Sequence, residues 1–271
     1  MSDESTVQMP ARLDPALLEA HPELAVLALE LPDSDGEPVE NERERFHMNL
    51  LLDVLSQHWH DRQDFYAAGN MFLYYCDQQA RDILAEEADP GRPRRAFRGP
   101  DVFIVLHVDG NVRRRKWVVW EEGGRYPDVI FEFLSPSTRR SDQTTKKTLY
   151  EQTFKTREYY WYDPYDPREF QAWQLDPSGA YQAMMPDARG WVWSPTLQLW
   201  IGRWEGTYQR DPAIWLRFYD PEGRLLPTPQ ETAEAERAHA EAERVRADAA
   251  EAEVARLRAE LARLRAENRG E

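Results

Sequence analysis

Hydrophobic side chains recur at two different spacings along the chain. Between residues 41 and 59 they follow one row of a helix, with Leu51 and Leu55 four residues apart. Residues 100–108, PDVFIVLHV, and residues 126–134, YPDVIFEFL, are instead short apolar runs bounded by turn-forming residues, as in buried strands. The pattern predicts a first core helix followed by strands.

Composition and turn-forming residues predict the secondary structure of the neighbouring segments. MFLYYC, residues 71–76, has strand composition, whereas FYAAGN, residues 65–70, is suited to a turn. The turn at residues 109–111, DGN, predicts that residues 113–124, RRRKWVVWEEGG, return as the second strand of a hairpin. A polar connection is predicted at residues 86–99.

A second helix is predicted over DQTTKKTLYEQTF, residues 142–154, with Ser141 or Asp142 as its cap. EYYWYDP, which begins at Glu158, is a short aromatic strand, and residues 165–227 are interpreted as hairpins that extend or cover the sheet. The order of helix, three or more strands, helix and strand indicates an α/β (α+β) sandwich.

From about residue 230 the chain is helix-forming throughout. Val254, Leu257, Leu261 and Leu264 alternate spacings of three and four, which is a heptad seam that weakens toward its Ala-rich start. A coiled coil needs a partner helix, most simply a second copy of the chain, so a homo-oligomer is expected. The alternative is a single charged helix stabilised by its own Glu/Arg pairs.

The predicted organisation is therefore a loosely packed acidic lead-in over residues 1–41, a folded domain over residues 42–229 and a C-terminal coiled-coil helix over residues 230–271. No apolar run approaches the roughly 18 residues of a membrane span, and the N-terminus lacks the layout of a signal peptide. We expect a cytoplasmic protein with no membrane partner. The single cysteine, Cys76, cannot form an intrachain disulfide.

The formal net charge of -15 argues against a nucleic-acid partner only until its distribution is considered. The acidic excess is concentrated in residues 1–44, whereas residues 92–155 carry 14 Lys and Arg against 8 Asp and Glu. This locally basic window favours a phosphate-containing partner. A charged surface that merely keeps the protein soluble is the alternative explanation.

Glu132 is an acidic residue inside a predicted buried strand, and it requires a partner because an unpaired buried charge costs several kcal/mol. Asp128 lies four residues earlier on the same strand, roughly 13 Å away at about 3.3 Å per residue, which is too far for one shared ion. Asp101 begins a separate strand, and cross-strand neighbours are only about 5 Å apart. Asp101 and Glu132 are therefore the predicted metal-binding pair, and two hard oxygen ligands suit Mg²⁺ or Mn²⁺.

A cation is expected beside such a metal. On the predicted second helix, Lys146 lies closer than Lys147 to the centre of the apolar side, so Lys146 should point back at the sheet. The alternative is a lysine whose stem simply covers apolar neighbours. A divalent ion with a nearby ammonium group can neutralise charge on a phosphate and activate water, which makes phosphodiester hydrolysis possible.

The segments GPDVFIVLHV, WVVWEEGGRYPDVIFEFLSPST and EYYWYDP, together with the spacing Asp142-x3-Lys146-x3-Tyr150, resemble the Uma-two family of restriction endonucleases, a branch of the PD-(D/E)XK nuclease superfamily. The similarity runs from about residue 42 to about residue 219. It implies a restriction-endonuclease-like αβββαβ core, dependence on a divalent metal and a DNA substrate.

The same resemblance implies that Asp101 and Glu132 are the motif acids and that Lys146 is the catalytic lysine. The superfamily pattern places its lysine two residues after the second acid, where this chain has Leu134. Glu44 and His47 match an extra helix acid and a histidine that are frequent in the family, but they are also explained as surface residues of an amphipathic helix, which is the preferred interpretation.

Two functions follow from these expectations. The first is a metal-dependent DNA endonuclease that uses Asp101, Glu132 and Lys146. The second is a nuclease-fold module, inactive or weakly active, that acts in DNA binding or in assembly through its coiled coil. An RNA-directed nuclease would use the same site, and no RNA-reading motif distinguishes it.

Overall fold

A mixed β-sheet is the centre of the computed structural model, which describes residues 21–33, 41–89, 91 and 97–267. The strands, in chain order, are β1 (Phe65–Gly69), β2 (Leu73–Tyr74), β3 (Val102–Leu106), β4 (Trp117–Val118), β5 (Val129–Phe133), β6 (Glu158–Tyr162), β7 (Phe170–Leu175), β8 (Tyr181–Ala183), β9 (Val192–Ser194), β10 (Leu199–Tyr208) and β11 (Asp211–Tyr219). Six of them form the main sheet in the order β1-β3-β5-β6-β7-β8, while β11-β10-β9 and β2-β4 form smaller sheets.

Four of the helices have regular geometry: α1 (Pro22–Glu30), α2 (Glu42–His58), α3 (Asp77–Ala88) and α5 (Pro229–Glu267). The remaining helical segment, α4, covers residues 139–154. Within it, Asp142–Lys146 and Tyr150–Phe154 are π-helical turns, and Arg139–Ser141 and Lys147–Leu149 are α-helical turns.

The order α2, β1, β3, β5, α4, β6 is the expected αβββαβ core, with β2 and α3 inserted after β1 and β4 inserted after β3. The pairs β1–β3 and β3–β5 are antiparallel, whereas β5 and β6 are parallel. Parallel neighbours need a crossover connection, and α4 provides it. The α/β (α+β) fold class is confirmed.

Each face of the main sheet is covered by its own hydrophobic cluster, because side chains alternate along a strand. On one face, Ile130 belongs to a cluster with Phe103 and Tyr159. On the other face, Phe131 stacks on Tyr160 with ring centroids 4.7 Å apart, in a cluster that includes residues of α2, β10 and β11. Glu132 lies two residues after Ile130 on β5 and therefore shares the face of Ile130.

The predicted turn at residues 65–70 is wrong, because residues 65–69 form β1 and pair along their whole length with β3. The small residues serve close packing of α2 on this strand. A Cβ atom at Gly69 would lie 3.0 Å from Cδ1 of Leu52, so glycine allows the helix to approach. Low strand propensity is here outweighed by tertiary packing.

The predicted hairpin partner of β3 is also wrong. Strand β3 already has β1 on one side and β5 on the other, so no edge is left for a third partner. Residues 117–118 form β4 instead, which pairs in parallel with β2 through Leu73 opposite Trp117. The strand predicted at residues 71–76 is accordingly reduced to Leu73–Tyr74, and α3 occupies the start of the predicted polar connection at residues 86–99.

Helix α4 begins earlier than predicted, so neither Ser141 nor Asp142 caps it. The side chain of Ser135 accepts a hydrogen bond from the backbone N–H of Thr138 at 3.2 Å, and the carbonyl of Ser135 accepts one from Arg139 at 2.9 Å. Pro136 follows Ser135, as is common in the first turn of a helix. Helical turns therefore start directly after β5.

The lead-in is not loosely packed where the structure describes it. Leu24, Leu27 and Ala28 of α1 are buried in the same cluster as Ile130. The indole N–H of Trp120 donates to the carbonyl of Leu24 at 3.1 Å. Residues 1–20 and 34–40 of the predicted lead-in lie outside the described residues.

Two compact units make up the chain, Met1–Leu226 and Pro227–Glu271. In the second unit, α5 begins with a reciprocal cap: the N–H of Glu231 donates to Oγ1 of Thr228 at 3.1 Å, and the N–H of Thr228 donates to Oε2 of Glu231 at 2.7 Å. Among the helices of the described residues, none combines the length and apolar character needed to cross a membrane.

Candidate active site

Asp101 and Glu132 are brought together by the pairing of β3 with β5. The register places Val102 opposite Phe131, so Asp101 and Glu132 are the next opposed positions. The backbone N–H of Asp101 lies 3.4 Å from Oε2 of Glu132, and Oδ2 of Asp101 accepts the N–H of Phe133 at 2.6 Å. The predicted cross-strand pair is therefore adjacent in the structure.

Glu132 is fully buried and receives two side-chain donors from α4. The hydroxyl of Tyr150 donates to Oε1 at 2.5 Å, and Nζ of Lys146 donates to Oε2 at 3.1 Å. Tyr150 is itself buried, whereas 18% of the Lys146 side chain is exposed. The lysine is therefore the more exposed partner of the pair.

A third acid, Asp142, belongs to this arrangement. Its Oδ1 lies 2.8 Å from Nζ of Lys146, and the residue is fully buried. Its Oδ2 has no hydrogen-bond partner among the described residues. Sequence reasoning treated Asp142 as a helix cap, although its four-residue spacing from Lys146 was a signal for an ion pair.

Aromatic contacts hold α4 in position over the sheet. The hydroxyl of Tyr159, on β6, donates to the backbone carbonyl of Asp142 at 3.0 Å. At the other end of the segment, Phe154 packs against Tyr75 and Tyr126 with ring centroids 5.2 and 5.0 Å away. The helix that carries Lys146 is therefore anchored at both ends.

Burial raises the pKa of both strand acids, and the charge of Asp142 raises both further. Burial is the largest cause for Glu132, whose pKa lies well above its usual range. The charges of Asp101 and Asp142 raise it further, while Lys146 opposes them. Burial also raises the pKa of Asp101, against Lys146 and the N–H of Phe133. For Lys146, burial favours the neutral form, but the three carboxylates outweigh it and raise the pKa of the ammonium group.

This electrostatic situation fits a hard divalent cation. Two crowded carboxylates whose pKa values are raised would each be stabilised by a positive ion, and oxygen ligands suit Mg²⁺ or Mn²⁺. Over the part of the chain that the structure describes, no group of three or more His, Cys, Asp or Glu side chains could hold a metal. Asp101 and Glu132 would thus leave several coordination positions to water or substrate, as is usual for Mg²⁺.

The other acid on β5 has a different role. Oδ2 of Asp128 accepts the N–H of Leu106 at 2.8 Å, and its Oδ1 lies 3.2 Å from Nε of Arg157. These contacts bind the carboxylate at the far end of the strand. Asp128 serves the pairing of β3 with β5, not the cluster around Glu132.

The position where the superfamily pattern has its lysine is occupied by a leucine in apolar surroundings. Leu134 is buried in the cluster that contains Ile130 and Tyr159. Lys147, the neighbour of Lys146, is directed elsewhere, with its Nζ 4.3 Å from the ring centroid of Trp173. Lys146 is therefore the lysine that reaches Glu132, as its place on the helix predicted.

Glu44 and His47 are not surface residues, so that preferred interpretation is wrong. The ring of His47 contacts those of Phe133, Tyr162 and Trp215, which belong to the face of the sheet opposite Glu132. Glu44 is buried beside Asn41, whose Nδ2 donates to Oε1 of Glu44 at 2.5 Å. Helix α2 is covered by the sheet and by β11, which buries positions that a one-sided helix would expose.

Many basic residues of the 92–155 window are already paired. Arg98 binds Glu86 at 2.9 Å, and Nε of Arg114 binds Glu122 at 2.6 Å. Arg139 pairs with Asp163. Residues 92–96, which hold three of the arginines, lie outside the described residues. Fewer positive charges are therefore available to bind a phosphate backbone than the number of Lys and Arg residues in this window suggests.

The described residues thus combine an αβββαβ core with two acids on neighbouring strands and a lysine beside them. The chain belongs to the Uma2 family, described as "Putative restriction endonuclease", whose profile matches residues 15–205. This membership assigns it to the nuclease class and confirms the restriction-endonuclease-like fold.

A solved structure is also similar to the chain: the crystal structure of a putative nuclease belonging to DUF820 from Anabaena variabilis. The two share 14% sequence identity with a TM-score of 0.40, over 63% of this chain and 88% of that chain. No curated protein matches the chain.

Proposed function

We propose that the protein is a divalent-metal-dependent DNA endonuclease that hydrolyses phosphodiester bonds at the acid–lysine cluster, defined as Asp101, Glu132 and Lys146. One observation carries the proposal. Oε2 of Glu132 lies 3.4 Å from the backbone nitrogen of Asp101 and 3.1 Å from Nζ of Lys146, so two strands and a helix meet at a single carboxylate oxygen.

Asp101 and Glu132 would hold the metal, Mg²⁺ or Mn²⁺. When bound, such an ion supplies Lewis acidity, which makes water a stronger nucleophile and neutralises charge on the phosphate. The raised pKa of both acids supports this assignment, because a dication would relieve the repulsion that burial intensifies.

Lys146 contributes positive charge where the phosphate would enter. Its pKa is raised, so it stays protonated at neutral pH, and its side chain is partly exposed. An ammonium held in place beforehand stabilises charge that develops during reaction at little reorganisation cost. Asp142 and Glu132 hold that ammonium from two sides.

Tyr150 and Phe133 orient the acids. The Tyr150 hydroxyl binds Oε1 of Glu132, and the N–H of Phe133 binds Oδ2 of Asp101. With the contact of Lys146 to Oε2, both oxygens of Glu132 and one oxygen of Asp101 are therefore held by the protein. Fixed oxygens keep the ligand geometry constant, which an octahedral ion such as Mg²⁺ demands.

Cleavage of supercoiled plasmid in the presence of Mg²⁺ tests the proposal. We expect wild-type protein to nick the plasmid, Glu132→Gln to lose activity by at least about a hundredfold, and the matched variant Asp128→Asn, altered at the other acid of β5, to keep it. Chelation by EDTA should abolish nicking. Equal rates for wild type and Glu132→Gln would refute the assignment.

The inactive or weakly active module remains the second candidate, because Arg98, Arg114 and Arg139 are already paired with acids and phosphate binding usually draws on many free cations. Titration calorimetry with Mn²⁺ separates the two. Binding by wild type that Asp101→Asn removes supports the nuclease, and absence of binding by wild type supports the module. Parallel assays with single-stranded RNA and double-stranded DNA decide the substrate.

A further inference from the structure

Helix α5 carries an apolar stripe that no described residue of its own unit covers. Val254, Leu257 and Leu261 expose 45%, 47% and 52% of their surfaces on a helix that is otherwise rich in Glu and Arg. Burying a leucine is worth about 2 kcal/mol, so an exposed row of such residues indicates a binding surface.

The stripe follows a heptad. Ala247, Val254 and Leu261 occupy the a positions, while Ala250 and Leu257 occupy the d positions. The sequence continues the seam to residue 264. A β-branched residue at a combined with Leu at d is favoured in two-stranded parallel coiled coils. On the N-terminal side, Glu243 falls at a d position and ends the seam.

The flanking charges specify the orientation of a partner helix. In a parallel, in-register pair, a g residue faces the e residue five positions later on the other helix. Arg246 at g then faces Glu251 at e, and Glu253 at g faces Arg258 at e. Both pairs have opposite signs, on both sides of the dimer.

An antiparallel pair would bring g against g and e against e. An alignment that matches the same apolar residues keeps two pairs of opposite charge, Glu251 with Arg258 and Arg246 with Glu267, but it also places Glu253 against Glu260 and Arg244 against Arg265. These like-charged contacts are destabilising, so the charge pattern disfavours this orientation.

We infer that residues 247–264 of two copies of the chain form a short, parallel, in-register coiled coil. The occupant of the apolar stripe is the same stripe of a second copy. The parallel orientation puts Pro229 of both helices at one end of the coiled coil. The inference is independent of the proposed function, since it makes no use of Asp101, Glu132 or Lys146.

The seam spans only about two and a half heptads, and short helices are marginal in water. A weak dimer is therefore expected, with monomer and dimer in exchange at micromolar concentrations. Analytical ultracentrifugation of the full chain should show a dimer that dissociates on dilution. Monomer throughout, up to a few hundred micromolar, would overturn the inference.

Charge reversal tests the orientation. Glu253→Arg should weaken the dimer at least about tenfold, because two Glu–Arg pairs become Arg–Arg pairs in the parallel arrangement. Arg258→Glu should do the same, and a mixture of the two variants should restore dimers because both pairs regain opposite charges. In the antiparallel alignment Glu253→Arg would instead strengthen association, and that result would overturn the inference.

Disulfide cross-linking tests the register. In a Cys76→Ser background, Ala250→Cys places a thiol at a d position, where parallel in-register helices bring identical residues together. Ala252→Cys, at the outward f position, is the matched control. Rapid oxidation to a covalent dimer is expected for the first variant and not for the second. Equal cross-linking of both would contradict the proposed register.

Discussion

Nζ of Lys146 lies 3.1 Å from Oε2 of Glu132, although the lysine belongs to a helix and the glutamate to the interior of a strand. The contact ties α4 to β5 and completes the acid–lysine cluster. A buried ion pair of this kind need not stabilise the fold relative to apolar residues, but breaking it leaves a buried charge without its partner. The stability and the activity of the protein should therefore respond differently to its removal.

Replacement of Lys146 by methionine should lower the free energy of unfolding by about 2 kcal/mol, because Glu132 and Asp142 lose the cation between them. The partial exposure of the lysine keeps this below the cost of a fully buried pair. Urea denaturation followed by tryptophan fluorescence measures the change. The control is Lys147→Met, which removes a contact with Trp173 and the attraction to Glu151, and should cost less than about 1 kcal/mol.

A double-mutant cycle measures the interaction energy between Glu132 and Lys146. Glu132→Gln combined with Lys146→Met should be more stable than the sum of the two single changes predicts, because the charge left unpaired in Lys146→Met is absent from the double variant. Strict additivity would mean that the contact is not formed in solution.

Removal of the Tyr150 hydroxyl should reduce plasmid nicking about tenfold, because Oε1 of Glu132 loses its fixed donor. Tyr160→Phe is a matched control: Tyr160 is equally buried and its hydroxyl donates to Glu158 at 2.7 Å, on the face of the sheet away from the cluster. Both variants should lose about 1 kcal/mol of stability. Only Tyr150→Phe should lose activity, and equal losses of activity would assign Tyr150 a purely structural role.

His47 should make the fold less stable as the pH falls. Burial lowers its pKa to about 4, against a usual value of 6.5. Between these values the unfolded chain binds a proton that the folded protein does not, so stability declines as the pH drops below about 6.5 and the decline ends near pH 4. The full effect is roughly 3 kcal/mol.

Denaturation at pH 7, 6 and 5 measures this dependence. His47→Asn, which keeps a donor for the carbonyl of Arg43, should flatten the curve in that window. A curve for His47→Asn as steep as that of wild type would contradict the prediction.

A lysine at the position usual for the superfamily should not rescue the protein. In Lys146→Met with Leu134→Lys, the new ammonium group would replace a leucine that is almost fully buried among aromatic side chains. We expect a further loss of about 3 kcal/mol and no recovery of nicking. Recovery of activity would mean that the cluster accepts a lysine from either element.

The strands that carry the candidate site were predictable because their apolar runs and turn signals are strong. Val129–Phe133 and Val102–Leu106 coincide with predicted strands, and the convergence of Asp101 on Glu132 followed from cross-strand geometry alone. Lys146 was selected by helical periodicity even though α4 is not a regular α-helix. In each case a local pattern determines the feature.

The parts that failed depend on contacts between distant residues. The sequence FYAAG carries little strand propensity, and it becomes β1 because Leu52 of α2 packs against Gly69. The pairing of Trp117 with β2 could not be predicted without knowing that β1 and β5 already occupy both sides of β3. His47 reads as an exposed residue of an amphipathic helix until β11 covers that side with Trp215.

The two π-helical turns of α4 set the phase of the residues that contact Glu132. In a regular α-helix, each step of four residues rotates about 40° beyond a full circle, so Asp142, Lys146 and Tyr150 would fan out over about 80°. Wider turns absorb part of this rotation. A one-residue insertion or deletion in this segment would therefore separate the side chains around Glu132 without removing any of them. The length of the segment is thus as important as the identity of its residues.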